Sequence, residues 1–313
     1  MTDGYQALRE KAALIDVSGR GKIKATGEDR VRFLHAMLTN HIEQLQPGQG
    51  CYAFLLNAQG RIQADVEVFC FPDHFLLDTE PETREKLYSL LDNYIIADDV
   101  TLEDVTAEWA TLAVEGPEAA SVLEAAGAPV PQEDHATASW DGSVAAAVSL
   151  TGQPGFRIFV PAGRKDAVTE RLKAAGAAAA SWEDAQTVRV ENGRPRYGED
   201  LTEGYIPHET QVLRAVHFNK GCYLGQEIVE RVRSRGHVNR LLVRLQAAGD
   251  RPPEPGTRLA AADKEVGVLT SAVYSPSLGG IAALGYVRAV HAKKGERLRA
   301  GDLEFEVVDA KPA

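Results

Sequence analysis

The strongest indication of a functional site in this chain is Lys220–Glu227, with the sequence KGCYLGQE (the KGCYLGQE segment). It gathers an amine, a thiol, a phenol, an amide and a carboxylate around two glycines, a mixture that neither a helix nor a strand requires. Glycine permits backbone geometry that a Cβ would forbid, or lets a ligand approach closely. Lys220 stands two residues before Cys222, where an ammonium can stabilise a thiolate. The residues leave open whether Cys222 is a nucleophile, a redox thiol or a transient metal ligand.

The other cysteines and the histidines predict no permanent metal centre. The chain has three cysteines, at positions 51, 70 and 222, so it has neither a disulfide framework nor the four thiolates that hold an iron–sulfur cluster. We expect Cys51 and Cys70 to be small core residues. The histidines lack the zinc-type i, i+4 spacing with a carboxylate, and no GxGxxG, Walker or GxSxG motif is present.

The composition is that of a globular protein with more than one domain. The 313 residues are 44% hydrophobic and 25% charged, and they exceed the size of one ordinary core. We predict no signal peptide, because the N-terminus has no basic region followed by an apolar region. We predict no membrane helix, because no apolar run approaches the length of about 20 residues that such a helix needs. Reduced cysteines then favour a cytoplasmic location.

A cluster of cations opposes the net charge of −11. Its members are Arg214, Lys220, Arg231, Arg233, Arg235 and Arg240, against two glutamates in the same stretch. Scattered arginines are usually a solvated face, but their place beside the KGCYLGQE segment also allows an anion-binding rim. Direct tRNA binding through this rim is an alternative that we do not favour.

Two stretches of sequence repeat one order of elements. A strand, a proline-containing turn, a second strand and a proline-led helix occur before residue 94 and again before residue 175. Pro81 and Pro161 occupy corresponding places, and proline early in a helix fits its fixed φ. The repeat predicts two similar α+β halves, at roughly residues 1–108 and 109–240. Short strands between glycines and prolines predict a small β-barrel or sandwich over residues 241–313.

Three polar residues outside the KGCYLGQE segment are candidates for ligand binding. Glu191 ends a predicted helix, where its carboxylate could accept two N–H groups of a flat heterocycle. Asn57 and Asp65 flank the first hairpin. Asp65 lies on the polar face of an alternating strand, so it faces either solvent, the usual case, or a cavity between the two halves.

The sequence resembles the YgfZ-type folate-binding proteins, relatives of the glycine-cleavage T-protein (aminomethyltransferase) family. The KGCYLGQE segment carries most of the resemblance. Supporting matches are Gly27–Arg30, Leu56–Ile62 with Asp65, Glu115–Pro117, Arg189–Glu191, Pro207–Glu209, Arg231 and Arg235–Arg240. The resemblance implies an α+β T-protein-like region over residues 1–240, with two similar halves around a central folate channel, and a C-terminal β-barrel over residues 241–313.

The resemblance also implies a function and its residues. Tetrahydrofolate, or a one-carbon derivative, would be the cofactor. The protein would support the assembly or repair of iron–sulfur proteins, including tRNA-modifying enzymes, so its partners would be folate and iron–sulfur client or assembly proteins. Cys222 and Lys220 would be catalytic. The expected cofactor-binding residues are Asn57, Asp65, Glu191, Tyr197, Tyr223, Gln226 and Arg235.

The alternative function is folate-dependent aminomethyl or related one-carbon transfer. Aminomethyltransferases carry two adjacent aspartates after a Gly-Gly-Ile turn. Here Gly60-Arg61-Ile62 is followed by Ala64-Asp65, so one carboxylate is missing. On the sequence alone, this difference argues against transfer from a lipoyl carrier.

Overall fold

The computed structural model describes residues 2–236 and 238–309. Its helices are α1 (Asp3–Glu10), α2 (Arg30–Met37), α3 (Arg84–Asp92), α4 (Ala119–Ala125), α5 (Lys165–Ala174), α6 (Trp182–Glu191), α7 (Pro207–Thr210) and α8 (Gln226–Arg235). Short 3-10 helices lie at Pro81–Thr83, Ala162–Arg164, Leu213–Ala215 and Ala289–His291.

The strands form two open sheets and one barrel. They are β1 (Ala13–Asp16), β2 (Gly21–Thr26), β3 (Gly50–Leu56), β4 (Ile62–Cys70), β5 (Phe75–Thr79), β6 (Thr101–Asp104), β7 (Trp109–Glu115), β8 (Thr137–Trp140), β9 (Ser143–Ala146), β10 (Gly155–Pro161), β11 (Ala178–Ala179), β12 (Arg240–Ala247), β13 (Arg258–Ala261), β14 (Lys264–Ser275), β15 (Gly280–Arg288), β16 (Arg297–Ala300) and β17 (Leu303–Asp309). The predicted α+β class with a C-terminal barrel is confirmed.

The two halves share one topology. The chain order β2–α2–β3–β4–β5–α3–β6 builds a sheet ordered β3-β4-β5-β2-β6. The order β7–α4–β8–β9–β10–α5–β11 builds a second sheet ordered β8-β9-β10-β7-β1-β11. The second sheet is therefore the same design with β1 inserted between β7 and β11. The boundaries at residues 108 and 240 remain predictions, and the N-terminal β1 lies in the sheet of the second half.

Strand β4 is buried on both faces, whereas its alternating sequence predicts one buried face. Ala64, Val66 and Val68 pack into the apolar core of the first half. The opposite face carries Asp65 and Glu67, which are also buried. This polar face is covered because the second half packs against it, and buried charges require partners there.

The C-terminal barrel closes in the order β12-β15-β14-β13-β16-β17 and has its own apolar core. Helix α6 packs on β14 and α7 on β12, so both helices connect the barrel to the other two parts. No helix in the described ranges is both long and apolar enough to cross a membrane.

Candidate functional site

A polar cavity lies between the two halves, and we call it the central cavity. Strands β3, β4 and β10 supply part of its wall, and the segment after α6 covers it. Its lining side chains are almost all charged or polar: Arg20, Tyr52, Asp65, Glu67, Glu80, Ser149, Leu150, Arg157, Arg189, Arg194, Pro195, Arg196 and Arg214. The free space inside is about 30 Å³, which is room for one or two water molecules.

Asp65 is the lining carboxylate with unused hydrogen-bonding capacity. The Tyr52 hydroxyl donates to Asp65 Oδ2 at 2.8 Å, whereas the buried Oδ1 has no partner among residues 2–236 and 238–309. Buried polar atoms normally have partners, so an orphan oxygen in a cavity indicates a ligand or water site. Burial raises the pKa of Asp65 to about 7, and the charge of Glu80 acts in the same direction. Both protonation states are therefore populated at neutral pH.

Most other charges in the central cavity neutralise one another. Asp78, which is fully buried, accepts from Arg20 Nε at 2.9 Å and also from Arg157. Arg20 also donates to Glu80, and Glu67 pairs with both Arg157 and His135. Such pairs offset the cost of burying each charge. They form a rigid frame around Asp65.

Arg194 and Arg214 give the cavity a cationic end. Arg194 donates to the Ser149 carbonyl at 3.2 Å and forms no ion pair with a carboxylate of the described residues. Burial lowers the pKa of Arg194, and the charge of Arg214 lowers it further. The Arg214 guanidinium stands 5.3 Å from the centre of the Tyr52 ring. Two adjacent guanidinium groups are suited to an anionic group of a ligand.

The donor and acceptor set fits a folate, although the present free space does not hold a pterin ring. Asp65 Oδ1 offers an acceptor for ring N–H groups, and Arg194 and Arg214 suit a carboxylate tail. Entry of a ring requires lining side chains to move. Arg194 is suited to move because its one side-chain hydrogen bond goes to a carbonyl at 3.2 Å.

The KGCYLGQE segment lies outside the lining of the central cavity and packs on the first half. The ammonium of Lys220, which is buried, donates to the carbonyls of His35 and Leu38 at the end of α2. It also lies 5.0 Å from the centre of the Tyr223 ring. Burial lowers the pKa of Lys220 to about 8, and the nearby thiol that interacts with its charge is Cys51. Lys220 thus anchors the segment to α2.

Other members of the segment have local roles or lie at the surface. Cys222 is an exposed free thiol. Gln226 begins α8 and accepts from the Tyr223 backbone N–H at 3.0 Å. Gly225 has φ +81°, and a Cβ there would lie 2.5 Å from the Asn57 carbonyl oxygen. The segment and the β3–β4 turn therefore need glycine for close contact. Tyr223 is buried, and its hydroxyl has no partner within the part of the chain that the structure describes.

The remaining predicted residues, Asn57, Tyr197 and Glu191, each have hydrogen-bond partners within the protein. Asn57 accepts from two backbone N–H groups of its own turn. Tyr197 is buried and donates to the Gln63 carbonyl at 2.6 Å. Glu191 Oε1 accepts from the Tyr5 hydroxyl at 2.6 Å and from barrel serines, so it joins α1, α6 and the barrel. Of the predicted cofactor-binding residues, Asp65 lines the central cavity.

Two residues of the predicted motif, Arg235 and His237, are only partly or not covered by the described residues. Arg235 ends α8, and its side chain lies outside the described part of the chain, as does His237. Two other arginines of the predicted basic rim pair within α8, Arg231 with Glu227 and Arg233 with Glu230. These pairs reduce the net positive charge that the rim presents.

Sequence reasoning missed most of the central cavity. Arg20, Tyr52, Glu80 and Arg157 were not predicted, although they lie around Asp65. One signal was available: Asp78 lies in the otherwise apolar strand β5, Glu80 follows that strand directly, and buried carboxylates require cations. No group of three or more histidine, cysteine or acidic residues in the described ranges could hold a metal ion.

The fold and the cavity define a three-part α+β protein with a polar cavity between two similar halves. Residues 1–220 match the GCVT N-terminal domain, and residues 240–312 match the glycine cleavage T-protein C-terminal barrel domain. The chain belongs to the glycine-cleavage T-protein family.

Relatives and a solved structure agree with this assignment. The chain is 33% identical to an aminomethyltransferase of Rubrobacter xylanophilus, over 90% of this chain and 78% of the relative. It is 28% identical to a putative chloroplastic transferase of Arabidopsis thaliana, over 96% and 71%. The crystal structure of aminomethyltransferase T from Bartonella henselae has the same fold, with a TM-score of 0.89, 23% identity, and 98% and 87% of the two chains covered.

These similarities support the T-protein family and leave the YgfZ-type branch within it unsupported. They favour the alternative function, one-carbon transfer, over the iron–sulfur role. Aminomethyltransferase family members use tetrahydrofolate, which agrees with the predicted cofactor.

Proposed function

We propose that this chain is a tetrahydrofolate-dependent transferase of one-carbon units, of the aminomethyltransferase type. The observation that carries the proposal is that Asp65, which lines the central cavity, has a buried Oδ1 that no described residue pairs with. When bound, tetrahydrofolate supplies the nitrogen that accepts the one-carbon unit. Asp65 would accept an N–H group of the ring and hold or release a proton at Oδ1, because its pKa of about 7 permits both states.

The neighbours of Asp65 would orient the ligand and the carboxylate. Tyr52 holds Oδ2 through its hydroxyl, which leaves Oδ1 as the carboxylate oxygen without a hydrogen bond among the described residues. Arg194 and Arg214 would bind an anionic group by charge-assisted hydrogen bonds. The buried ion pairs around Asp65 limit its rotation and keep bulk water out, which strengthens each electrostatic contact.

The missing carboxylate at position 64 does not weaken this proposal. Ala64 is fully buried in the apolar core of the first half, on the face of β4 opposite Asp65. A carboxylate there would enter that core and not the central cavity. The sequence-based argument against transfer therefore loses its physical basis.

Calorimetric titration with tetrahydrofolate tests the proposal. Loss of a charge-assisted hydrogen bond is worth about 1.5–3 kcal/mol, so Asp65→Asn should weaken binding by roughly tenfold to a hundredfold. Asp73→Asn is the matched control, because Asp73 lies on the neighbouring β4–β5 turn and is exposed. Equal affinities for wild type and Asp65→Asn would refute the role of the central cavity.

Support of iron–sulfur proteins, including tRNA-modifying enzymes, is a second candidate function. The observation that favours it is the exposed Cys222 thiol in the KGCYLGQE segment. Rescue of an iron–sulfur enzyme defect by wild type and by Cys222→Ser tests it. Equal rescue by both proteins would remove the thiol from such a function.

A further inference from the structure

A second carboxylate, Glu80, lies in the central cavity and is held differently from Asp65. Both side chains are buried, at 6% and 7% exposure. Glu80 pairs with two cations, Arg20 and Arg196, the latter at 2.9 Å. Asp65 instead accepts a hydrogen bond from the neutral Tyr52 hydroxyl. The two carboxyl groups of the cavity thus differ in their direct partners, although the charge of Arg20 acts on both.

A pair of threonines ties the backbones of the two acids together. The Thr79 hydroxyl donates to the Asp65 carbonyl at 2.6 Å. The Thr83 hydroxyl donates to the Glu80 carbonyl at 3.0 Å and lies 2.7 Å from the Thr79 hydroxyl. This arrangement fixes the end of β5 against β4, and with it the place of Glu80 relative to Asp65.

The surroundings push the proton affinities of the two groups apart. Although burial opposes ionisation, Arg20 and Arg196 lower the pKa of Glu80. Burial and then the charge of Glu80 raise the pKa of Asp65 to about 7. Such divergence of two neighbouring acids is the usual way in which a site separates a fixed charge from a proton carrier. The charged and titratable groups around Asp65 in the described residues are Arg20, Tyr52, Glu67, Glu80, Arg157, Arg189, Arg194, Arg196, Tyr197 and Arg214.

We propose that Glu80 is a positioning residue that holds a fixed negative charge in the same cavity as Asp65 and so opposes a second negative charge on Asp65. Its catalytic consequence rests on the proposed transferase function, whereas the electrostatic coupling is a property of the protein alone. Removing the charge of Glu80 would also release Arg20 and Arg196 to stabilise the ionised form of Asp65. Both effects act in the same direction.

Carbon-13 NMR of the ligand-free, full-length protein labelled at aspartate carboxyl carbons measures this coupling. The Asp65→Asn spectrum identifies the Asp65 resonance. In Glu80→Gln we expect the Asp65 titration midpoint to fall by about one unit or more, the usual size of a neighbouring-charge effect. In Glu80→Asp, which keeps the charge, the midpoint should stay near that of wild type. An unchanged midpoint in folded Glu80→Gln would overturn the proposal.

A matched control and a second variant separate this effect from a general change of charge. Glu82 binds the same Arg196 at 2.7 Å, but its side chain is 54% exposed. Glu82→Gln should therefore leave the midpoint unchanged, and a shift equal to that of Glu80→Gln would contradict the proposal. If Glu80→Gln does not fold, Arg196→Gln supplies the test, because a less neutralised Glu80 should raise the midpoint. A lowered or unchanged midpoint would contradict the proposal.

The two proposals can fail separately. A shifted Asp65 midpoint in a protein that does not bind tetrahydrofolate would support the coupling and reject the transferase function. Tetrahydrofolate binding that depends on Asp65, with the same midpoint in Glu80→Gln, would reject the coupling alone.

Discussion

The central cavity and the KGCYLGQE segment differ in how they use their polar groups. The segment is contiguous in sequence, its thiol is exposed, and its buried ammonium is bound to two carbonyls of the protein. The cavity is assembled from residues far apart in the chain, and it leaves a buried carboxylate oxygen on Asp65 without a partner. The polar atom that is available to a ligand therefore lies in the central cavity, whose residues form no contiguous motif in the sequence.

The difference shows that a motif can serve assembly as well as chemistry. Lys220 attaches the segment to α2, and Gly225 allows close contact with the β3–β4 turn at Asn57. That turn leads into β4, which carries Asp65. The segment thereby supports the strand that forms the cavity wall, while Cys222 stays available at the surface.

The largest expected effect is the loss of the buried anion that two arginines of the cavity share. Asp78→Ala leaves Arg20 and Arg157 without that partner, and breaking a buried pair costs about 3–5 kcal/mol. Chemical denaturation should show this fall in the free energy of unfolding. Asp73→Ala, at an exposed position five residues earlier, should change it by less than about 0.5 kcal/mol. Equal stabilities for the two variants would mean that the ion pairs of Asp78 with Arg20 and Arg157 do not stabilise the fold.

The exposed thiol of Cys222 should react much faster than the thiols of Cys51 and Cys70. Burial raises the pKa of Cys51 to about 12 and also raises that of Cys70, whereas Cys222 is exposed. We expect Cys222 to react with a thiol reagent at least about a hundredfold faster, because access and thiolate content set the rate. Mass spectrometry of the native protein after brief labelling measures this. Comparable labelling of Cys51 would contradict the protection of this β3 thiol, which lies close to Lys220 of the KGCYLGQE segment.

Removing the anchor of the segment should have a smaller effect on stability. Lys220→Met leaves the His35 and Leu38 carbonyls without that donor, a loss of about 1–3 kcal/mol, partly offset because no cation is then buried. Thermal unfolding compares it with Lys294→Met, an exposed lysine of the barrel region. If the two variants unfold alike, Lys220 is not the anchor.

Local rules predicted the repeat. Pro81 and Pro161 mark the corresponding points of the two halves. These features depend on neighbouring residues. The insertion of β1 into the second sheet could not be predicted, because it is a long-range pairing with no local signal.

The candidate site was predictable only in part, for the same reason. Asp65 could be identified as facing solvent or a cavity, and tertiary packing decides between the two. Arg20, Glu80 and Arg157 come from three separate segments, so only the folded chain shows that they meet. The orientation of Lys220 towards α2 likewise depends on packing that residue spacing does not contain.

The most direct test of the central claim is the rate of methylene-tetrahydrofolate formation from an aminomethylated lipoyl carrier. We predict turnover by wild type and by Asp73→Asn, and a loss of at least about a hundredfold in Asp65→Asn, the usual contribution of a general acid–base. Cys222→Ser should lose at least tenfold less than Asp65→Asn. Full turnover by Asp65→Asn, or an equal loss in Cys222→Ser, would contradict the assignment of the chemistry to the central cavity.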